Sequence, residues 1–94
     1  MIVSFKNKGL REIFESGTTN RIDARLHERI LRRLSAMDAA EHVENLNVPG
    51  YDLHPLRGFK PKRYTIHVNG PWCITFQFEN GKATAVDFEN YHER

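Results

Sequence analysis

The sequence has little cysteine, no long apolar run and no glycine-rich phosphate loop, and each absence narrows its possible functions. The single cysteine, Cys73, cannot form a disulfide within the chain, which favours a reducing compartment. One cysteine also excludes a zinc site built from Cys pairs, and there is no His-x-x-x-His pair, so we expect no metal and no cofactor. No stretch approaches the roughly 18 apolar residues of a membrane span, and no secretory leader is evident. These absences predict a cytoplasmic protein.

The 94 residues predict one small domain, residues 1–94, with a net charge of +2. A chain of this size buries about 60–65% of its unfolded surface, which leaves room for one sheet and two or three helices. Lysine and arginine gather in segments 6–11, 21–33 and 57–63. Because phosphate contacts supply the sequence-independent part of nucleic-acid affinity, this placement indicates an anionic partner. The alternative is an ordinary solvated surface.

Two helices are predicted in the first half of the chain. Asn7 is a suitable N-cap for a helix over residues 8–15, and Gly17 a suitable stop. Asp23 is a suitable N-cap for a second helix, from residue 24 to 39 or 40. One face of that helix is apolar. Four arginines, with only Glu28 nearby to pair, form another face: Arg25, Arg29, Arg32 and Arg33.

The remaining segments predict an antiparallel sheet. Strands are expected at residues 2–5, 51–56, 63–68, 72–78 and 83–88. The last three are joined by hairpin turns at Asn69-Gly70 and Asn80-Gly81. The predicted class is α+β, with a short N-terminal strand and two N-terminal helices packed on an antiparallel sheet of three to four further strands. A polar face of this sheet could bind a ligand, and it carries Arg63, Thr65, His67, Cys73, Thr75 and Gln77.

Four side chains have the chemistry for cutting RNA without a metal: His54, Arg57, Tyr91 and His92. Such cleavage needs a base for the 2′-hydroxyl, an acid for the 5′-oxygen and a cation for the phosphate oxygens. Either histidine can serve as base or acid, and which one is the base stays open. Tyr91 can donate a proton or stack on a base, and Arg57 can bind phosphate with two donors. A lone histidine is, however, more often an ordinary hydrogen-bonded residue.

A longer set of motifs runs through nearly the whole chain. They are Ile2-x-Ser4-Phe5-Lys6-x-Lys8-Gly9-Leu10, Phe14-Glu15-x-Gly17, Leu34-x-x-Met37-Asp38-x-Ala40, Leu53-His54-Pro55-Leu56-x-Gly58, Trp72-x-Ile74-Thr75-Phe76-x-Phe78 and Glu89-x-Tyr91-His92. In this combination the chain resembles the HigB branch of the RelE/ParE superfamily of toxins from bacterial type II toxin–antitoxin modules. The resemblance implies the compact RelE-like α+β fold. It also implies ribosome-dependent cleavage of mRNA in the A site, which leaves a 2′,3′-cyclic phosphate and a 5′-hydroxyl.

The resemblance further implies partners and residue roles. The partners would be a HigA-type helix-turn-helix antitoxin, the 70S ribosome with its mRNA, and operator DNA only through the antitoxin. Active-site positions would be His54, Arg57, Asn90, Tyr91 and His92. Ribosomal RNA would be held by Lys6, Lys8, Arg25, Arg29, Arg32, Arg33, Lys60, Lys62 and Arg63.

Three residues depart from the pattern of that family. Cys73 stands where an arginine is usual, Asn90 where an acid precedes Tyr-His, and Phe59 where an acid follows the glycine. Arg57 or Arg63 is expected to supply the missing guanidinium. The departures motivate an alternative hypothesis, a catalytically weakened homologue that binds antitoxin and tunes operon repression. A ParE-like gyrase inhibitor ranks lower, since that branch does not use the histidine and Tyr-His combination.

Overall fold

Two helices and a four-stranded antiparallel sheet form the fold, which confirms the predicted α+β class. The protein is described by a computed structural model over residues 1–91. Its elements are α1 (Lys8–Ser16), α2 (His27–Ala39), β1 (His54–Leu56), β2 (Arg63–Asn69), β3 (Trp72–Glu79) and β4 (Lys82–Asn90), with 3₁₀ turns at Ala24–Leu26 and Val43–Leu46. The strand order is β1-β2-β3-β4. Within residues 1–91, no helix has both the length and the apolar character that crossing a membrane requires.

Helix α1 has the caps that its sequence predicts. The Asn7 side chain accepts a hydrogen bond from the Leu10 N–H at 2.9 Å, which satisfies one of the open donors of the first turn. Gly17 ends the helix with φ 86°, in the left-handed region that glycine adopts without strain. Leu10 and Ile13 are fully buried and fix the inner face of the helix against the core.

Helix α2 begins three residues later than the sequence predicts. Asp23 does act as a cap, since its carboxylate accepts from the Arg25 N–H at 2.9 Å, but the turn that it caps is a 3₁₀ turn over Ala24–Leu26. Such tighter turns are common at helix N-termini. The apolar face is as expected, with Ile30, Leu34 and Met37 fully buried. On the arginine-bearing face, Arg25, Arg29 and Arg32 are exposed, whereas Arg33 is partly buried.

The opening segment lies beside β4 as two isolated parallel bridges, Ile2 with Ala83 and Phe5 with Val86. Between them Ala85 has φ 51°, and the register of β3 against β4 shifts at the same place. A bulge in the partner strand interrupts regular pairing. The predicted strand at 2–5 is thereby reduced to two isolated bridges, although backbone hydrogen bonds such as that from Val3 N–H to the Ala83 carbonyl oxygen still join it to β4.

Strand register carries distant residues to one face of the sheet. Ile66 lies opposite Ile74, and both side chains are buried on the helix side. On the other face His54 lies opposite Thr65, and Thr65 lies opposite Thr75. The predicted strand at 51–56 starts only at His54, because Asp52 takes φ 50° and leaves the extended conformation.

Candidate active site

A cleft of about 220 Å³ opens on the polar face of the sheet, next to the turn between β2 and β3. Its walls include two imidazoles, a phenol, a thiol and a hydroxyl, contributed by His54, His67, Tyr91, Cys73 and Thr65. Neither arginine nor lysine is among the residues lining it in the part of the chain that the structure describes. Over residues 1–91, no three His, Cys, Asp or Glu side chains come together as ligands for a metal ion.

His54 is oriented by the residue two positions before it. Its Nδ1 lies 2.8 Å from the carbonyl oxygen of Asp52 and 3.9 Å from the Asp52 carboxylate. A carbonyl oxygen only accepts hydrogen bonds, so this contact assigns the proton of the neutral ring to Nδ1. The lone pair is then on Nε2, which is the nitrogen that a general base uses.

Tyr91 reaches the same cleft from the far end of the chain. Its ring centroid lies 6.1 Å from that of His54, with the two planes at 75°. The Tyr91 N–H donates to the carbonyl oxygen of Pro71 at 2.7 Å, which fixes the tail to the turn between β2 and β3. The residue is 47% exposed, so a ligand can reach it from solvent. The other half of the predicted pair, His92, lies outside the described residues.

Thr65 presents a buried hydroxyl to the cleft. The residue is 2% exposed, and its Oγ1 has no hydrogen-bond partner within residues 1–91. A buried polar atom without a partner costs about 1–3 kcal/mol, and a bound ligand that completes the bond removes that cost. Thr65 was predicted to lie on the polar face but was not predicted to be a site residue. The available signal was its strand position, which shares a face with Arg63 and His67.

A row of polar side chains crosses the sheet on the same face. Arg63 is 7% exposed, and its Nη2 donates to Thr75 Oγ1 at 3.0 Å and to the carbonyl oxygen of Ala85 at 2.9 Å. Thr75 in turn donates to the Glu89 carboxylate. The guanidinium of Arg63 is thus buried in this internal network, and the predicted role of Arg63 in RNA binding stays a prediction.

Glu89, rather than Asn90, shares the cleft's face of β4. The register places Glu89 opposite Cys73 and Asn90 opposite Trp72, on the helix side of the sheet. Cys73 is 3% exposed, and its Sγ donates to the carbonyl oxygen of Glu89 at 3.5 Å. The structure therefore does not bring the predicted Asn90 to the cleft lining. Glu89 was not predicted to lie on this face, although the two-residue period of the strand puts it on the face of Cys73 once the register is known.

The basic loop between β1 and β2 lies outside the cleft lining. Arg57 and Lys60 are exposed, and Lys62 Nζ lies 5.8 Å from the centroid of the Tyr64 ring. Near the N-terminus, Lys6 and Lys8 are also exposed. These side chains do not line the cleft beside His54, and they are exposed to a partner at the surface.

The arginine face of α2 is paired within the protein, contrary to the prediction that only Glu28 is near. Arg32 does pair with Glu28, and Arg25 pairs with Asp23 at 2.7 Å. The side-chain hydrogen bond from Arg25 is the largest cause that lowers the pKa of the Asp23 carboxyl to about 2. Both pairs are exposed, so they leave the guanidinium groups accessible to a polyanion.

The other two arginines of this face hold α2 to the sheet. Arg33 Nε donates to the carbonyl oxygen of His67 at 2.6 Å, and its guanidinium lies 4.4 Å from the ring centroid of Tyr51. Burial lowers the pKa of the Arg33 guanidinium, but arginine stays protonated at neutral pH. Arg29 Nη1 donates to the Asn69 side chain at 3.0 Å and to the carbonyl oxygen of Val68 at 3.2 Å. The structural role of this pair was not evident from helical periodicity.

Similar proteins are known. Residues 3–92 match the family described as "RelE-like toxin of type II toxin-antitoxin system HigB". The chain is 46% identical over 92 residues to a Proteus vulgaris protein named Endoribonuclease HigB, a match that covers 98% of this chain and 100% of the relative. It is 29% identical over 80 residues to an uncharacterized protein of Haemophilus influenzae, which covers 83% of this chain and 79% of that protein.

Proposed function

Since the chain belongs to the HigB family of RelE-like toxins of type II toxin–antitoxin systems, we propose that the cleft beside His54 is its endoribonuclease site. Toxin and ribonuclease function follow from full-length similarity to a relative named Endoribonuclease HigB. The observation that carries the assignment of the site is the approach of His54 and Tyr91, 6.1 Å apart between ring centroids.

The proposed reaction uses the RNA's own nucleophile. His54 Nε2 takes the proton of the 2′-hydroxyl, and that oxygen attacks the adjacent phosphorus. The bond from phosphorus to O2′ forms while the bond to O5′ breaks, and the 5′-oxygen leaves with a proton supplied by the terminal Tyr91-His92 pair. The products are a 2′,3′-cyclic phosphate and a 5′-hydroxyl. The Thr65 hydroxyl would complete its hydrogen bonding with a substrate oxygen, and Arg57 would approach the phosphate from its exposed loop.

We further propose that the substrate is mRNA in the ribosomal A site and that the reaction takes place in the cytoplasm. Positive side chains that remain exposed would bind RNA of the complex between the ribosome and its mRNA: Lys6, Lys8, Arg25, Arg29, Arg32, Lys60 and Lys62. Arg33 would support this surface from its half-buried position. A HigA-type antitoxin with a helix-turn-helix domain would neutralise the toxin and bring it to operator DNA.

Induced expression without antitoxin tests this proposal in cells. We expect growth arrest by the wild type, with new mRNA 5′ ends inside translated reading frames. His54→Asn should abolish both effects because it removes the proposed base. His42→Asn is the matched control, since it removes an exposed imidazole that does not line the cleft. Arrest and cleavage that survive in His54→Asn would overturn the site assignment.

The second candidate function is a catalytically weakened toxin that acts by binding antitoxin and adjusting operon repression. One observation favours it, namely the absence of any guanidinium or ammonium from the cleft lining within residues 1–91. Under this alternative the wild type causes neither arrest nor new 5′ ends, yet it still forms a complex with the antitoxin. The expression experiment therefore distinguishes the two candidates.

A further inference from the structure

A second and larger groove, of about 770 Å³, lies on the helix side of the sheet. Its lining includes Arg21, Arg25, Arg29, Asn69, Trp72 and Phe88. It begins at the same hairpin that borders the catalytic cleft. Asn69 and Trp72 line the groove, while Gly70 and Pro71 line the cleft. One short turn therefore separates the two binding surfaces.

The apolar part of this groove is an aromatic stack. The Trp72 and Phe88 rings lie 4.9 Å apart between centroids, with an interplanar angle of 11°. Phe88 thus covers one face of the indole, but Trp72 is still 36% exposed. A large aromatic residue that is held rigidly from one side and open to a groove is a platform for a planar ligand.

The polar part of the groove is cationic. Arg25 is highly exposed, with a side-chain accessibility of 88% even though it pairs with Asp23. Arg29 is held beside the hairpin by the two hydrogen bonds of its Nη1, to Asn69 and Val68. A guanidinium has five N–H donors, so those of Nη2 and Nε remain for a ligand. Of the three guanidiniums that line the groove, Arg25 pairs with Asp23 and Arg21 pairs with Glu12 at 3.4 Å. The charge of Arg29 is not offset in this way within residues 1–91, since its side-chain hydrogen bonds are to the neutral groups of Val68 and Asn69.

We propose that this groove binds single-stranded RNA, with one base stacked on Trp72 and the neighbouring phosphates held by Arg25 and Arg29. An exposed aromatic ring beside guanidinium groups is the combination by which proteins bind single strands without base pairing. The shared hairpin lets a strand that occupies the catalytic cleft continue into the groove. The inference concerns binding alone and does not require that the cleft cleave RNA.

Charge and shape favour RNA over a peptide as the occupant. A protein partner would need a contiguous apolar surface for its buried core, whereas this groove offers one exposed aromatic residue within a positive rim. A polyanion with planar groups matches both features at once. An acidic peptide is the alternative that the experiment must distinguish.

Trp72 is the only tryptophan in the chain, so its fluorescence reports directly on this groove. The probe is a short single-stranded oligoadenylate with 2′-O-methyl groups, which cannot be cleaved by 2′-hydroxyl attack. We expect saturable quenching by this oligonucleotide, little quenching by a duplex of the same length, and none by an acidic peptide. Quenching by the peptide alone, or equal quenching by single strand and duplex, would overturn the proposal.

Variants test the two halves of the groove separately, with a dye-labelled oligonucleotide and anisotropy as the readout. Trp72→Leu should weaken binding by roughly 5- to 150-fold, the range expected for one lost base stack. Arg29→Ala should reduce the slope of log affinity against log salt by about 0.7. Arg11→Ala is the matched control, because Arg11 is exposed on α1 and does not line the groove.

The result that contradicts the proposal is equal affinity in wild type, Trp72→Leu and Arg29→Ala. Thermal melting of each variant establishes that it is folded. If Trp72→Leu does not fold, two measurements still test the proposal. They are the quenching of the wild type and the slope of log affinity against log salt for Arg29→Ala. Loss of ribosome-dependent cleavage with normal oligonucleotide binding would concern the catalytic cleft and leave the groove proposal intact.

Discussion

Thr65 lies directly opposite His54 in the pairing of β1 with β2, so a buried hydroxyl without a partner in residues 1–91 sits beside the imidazole proposed as the base. The two residues differ in how their polar atoms are satisfied. His54 Nδ1 is hydrogen-bonded to the carbonyl oxygen of Asp52, whereas Thr65 Oγ1 makes no hydrogen bond within residues 1–91. We therefore expect the orientation of the His54 ring to be set by folding, before substrate binds. The Thr65 hydroxyl would gain its hydrogen-bond partner only when substrate binds.

Thr65→Val should separate activity from stability. The substitution keeps the shape of the side chain and removes a hydroxyl that makes no hydrogen bond in the described structure, so the folded state should be equally stable or slightly more so. Cleavage of ribosome-bound mRNA should fall about ten-fold, as expected for one lost hydrogen bond to the substrate. Thr65→Ser is the control and should retain most activity. A Thr65→Val protein with wild-type cleavage would show that the substrate does not use this hydroxyl.

In contrast to Thr65→Val, Thr75→Val should lower the stability of the folded protein substantially. It removes the hydroxyl that links the Arg63 guanidinium to the Glu89 carboxylate inside the sheet. Weakening the hydrogen bonding of buried charged groups should lower the free energy of unfolding by about 2 kcal/mol, measured by urea denaturation. Thr84→Val is the control, because its longer 3.4 Å bond to Gln77 joins two neutral side chains. Equal losses in both variants would contradict a special role for this network.

Cys73→Arg should increase cleavage. The cysteine side chain lines the cleft, whose described residues include no guanidinium, and an arginine there would meet the charge that develops on the phosphate. We expect a gain of about ten-fold in the rate of mRNA cleavage, and no gain for Cys73→Ser. If Cys73→Arg folds normally and shows no gain, another cation already supplies that charge.

Asp23 should make stability depend on pH under acidic conditions. Its carboxyl pKa is lowered from 3.8 to about 2 in the folded protein, chiefly by the side-chain hydrogen bond from Arg25. The folded state then binds fewer protons than the unfolded state between these values, so stability falls as the pH falls through this window. Asp23→Asn keeps a capping side chain but loses the charge, and it should flatten this dependence. Urea midpoints measured across the window test this, and identical slopes for both proteins would refute it.

Local elements were predictable because their signals lie within a few residues. The Asn7 and Gly17 caps define α1, and alternation with two Asn-Gly turns defines the last three strands. The start of α2 was predicted three residues too early because a 3₁₀ turn and the first turn of an α-helix use the same capping residue. The bulge at Ala85 had no evident signal, since a left-handed alanine is not a preference of its side chain.

For the candidate site, the types of side chain were easier to predict from the sequence than the positions of individual residues. The motifs led to His54 and Tyr91, which the structure brings to one cleft. The burial of Arg63 was not predicted because alternation fixes the face on which a residue lies but not what covers it. The position of Asn90 was not predicted because the strand register decides which of two consecutive residues faces the cleft. The placement of Thr65 and Glu89 on the face of the cleft depends on the same long-range pairing of strands. For His92 the catalytic role stays a prediction.

The most direct test of the central claim is a reconstituted cleavage assay with 70S ribosomes that hold a defined mRNA. Wild-type protein and His54→Asn would be added in parallel, with the same mRNA free in solution as the comparison. We expect the wild type to cut only the ribosome-bound message, to leave a 2′,3′-cyclic phosphate, and to lose this activity in His54→Asn. Absence of cleavage by the folded wild type, or equal cleavage by His54→Asn, would contradict the assignment of the cleft as a ribonuclease site.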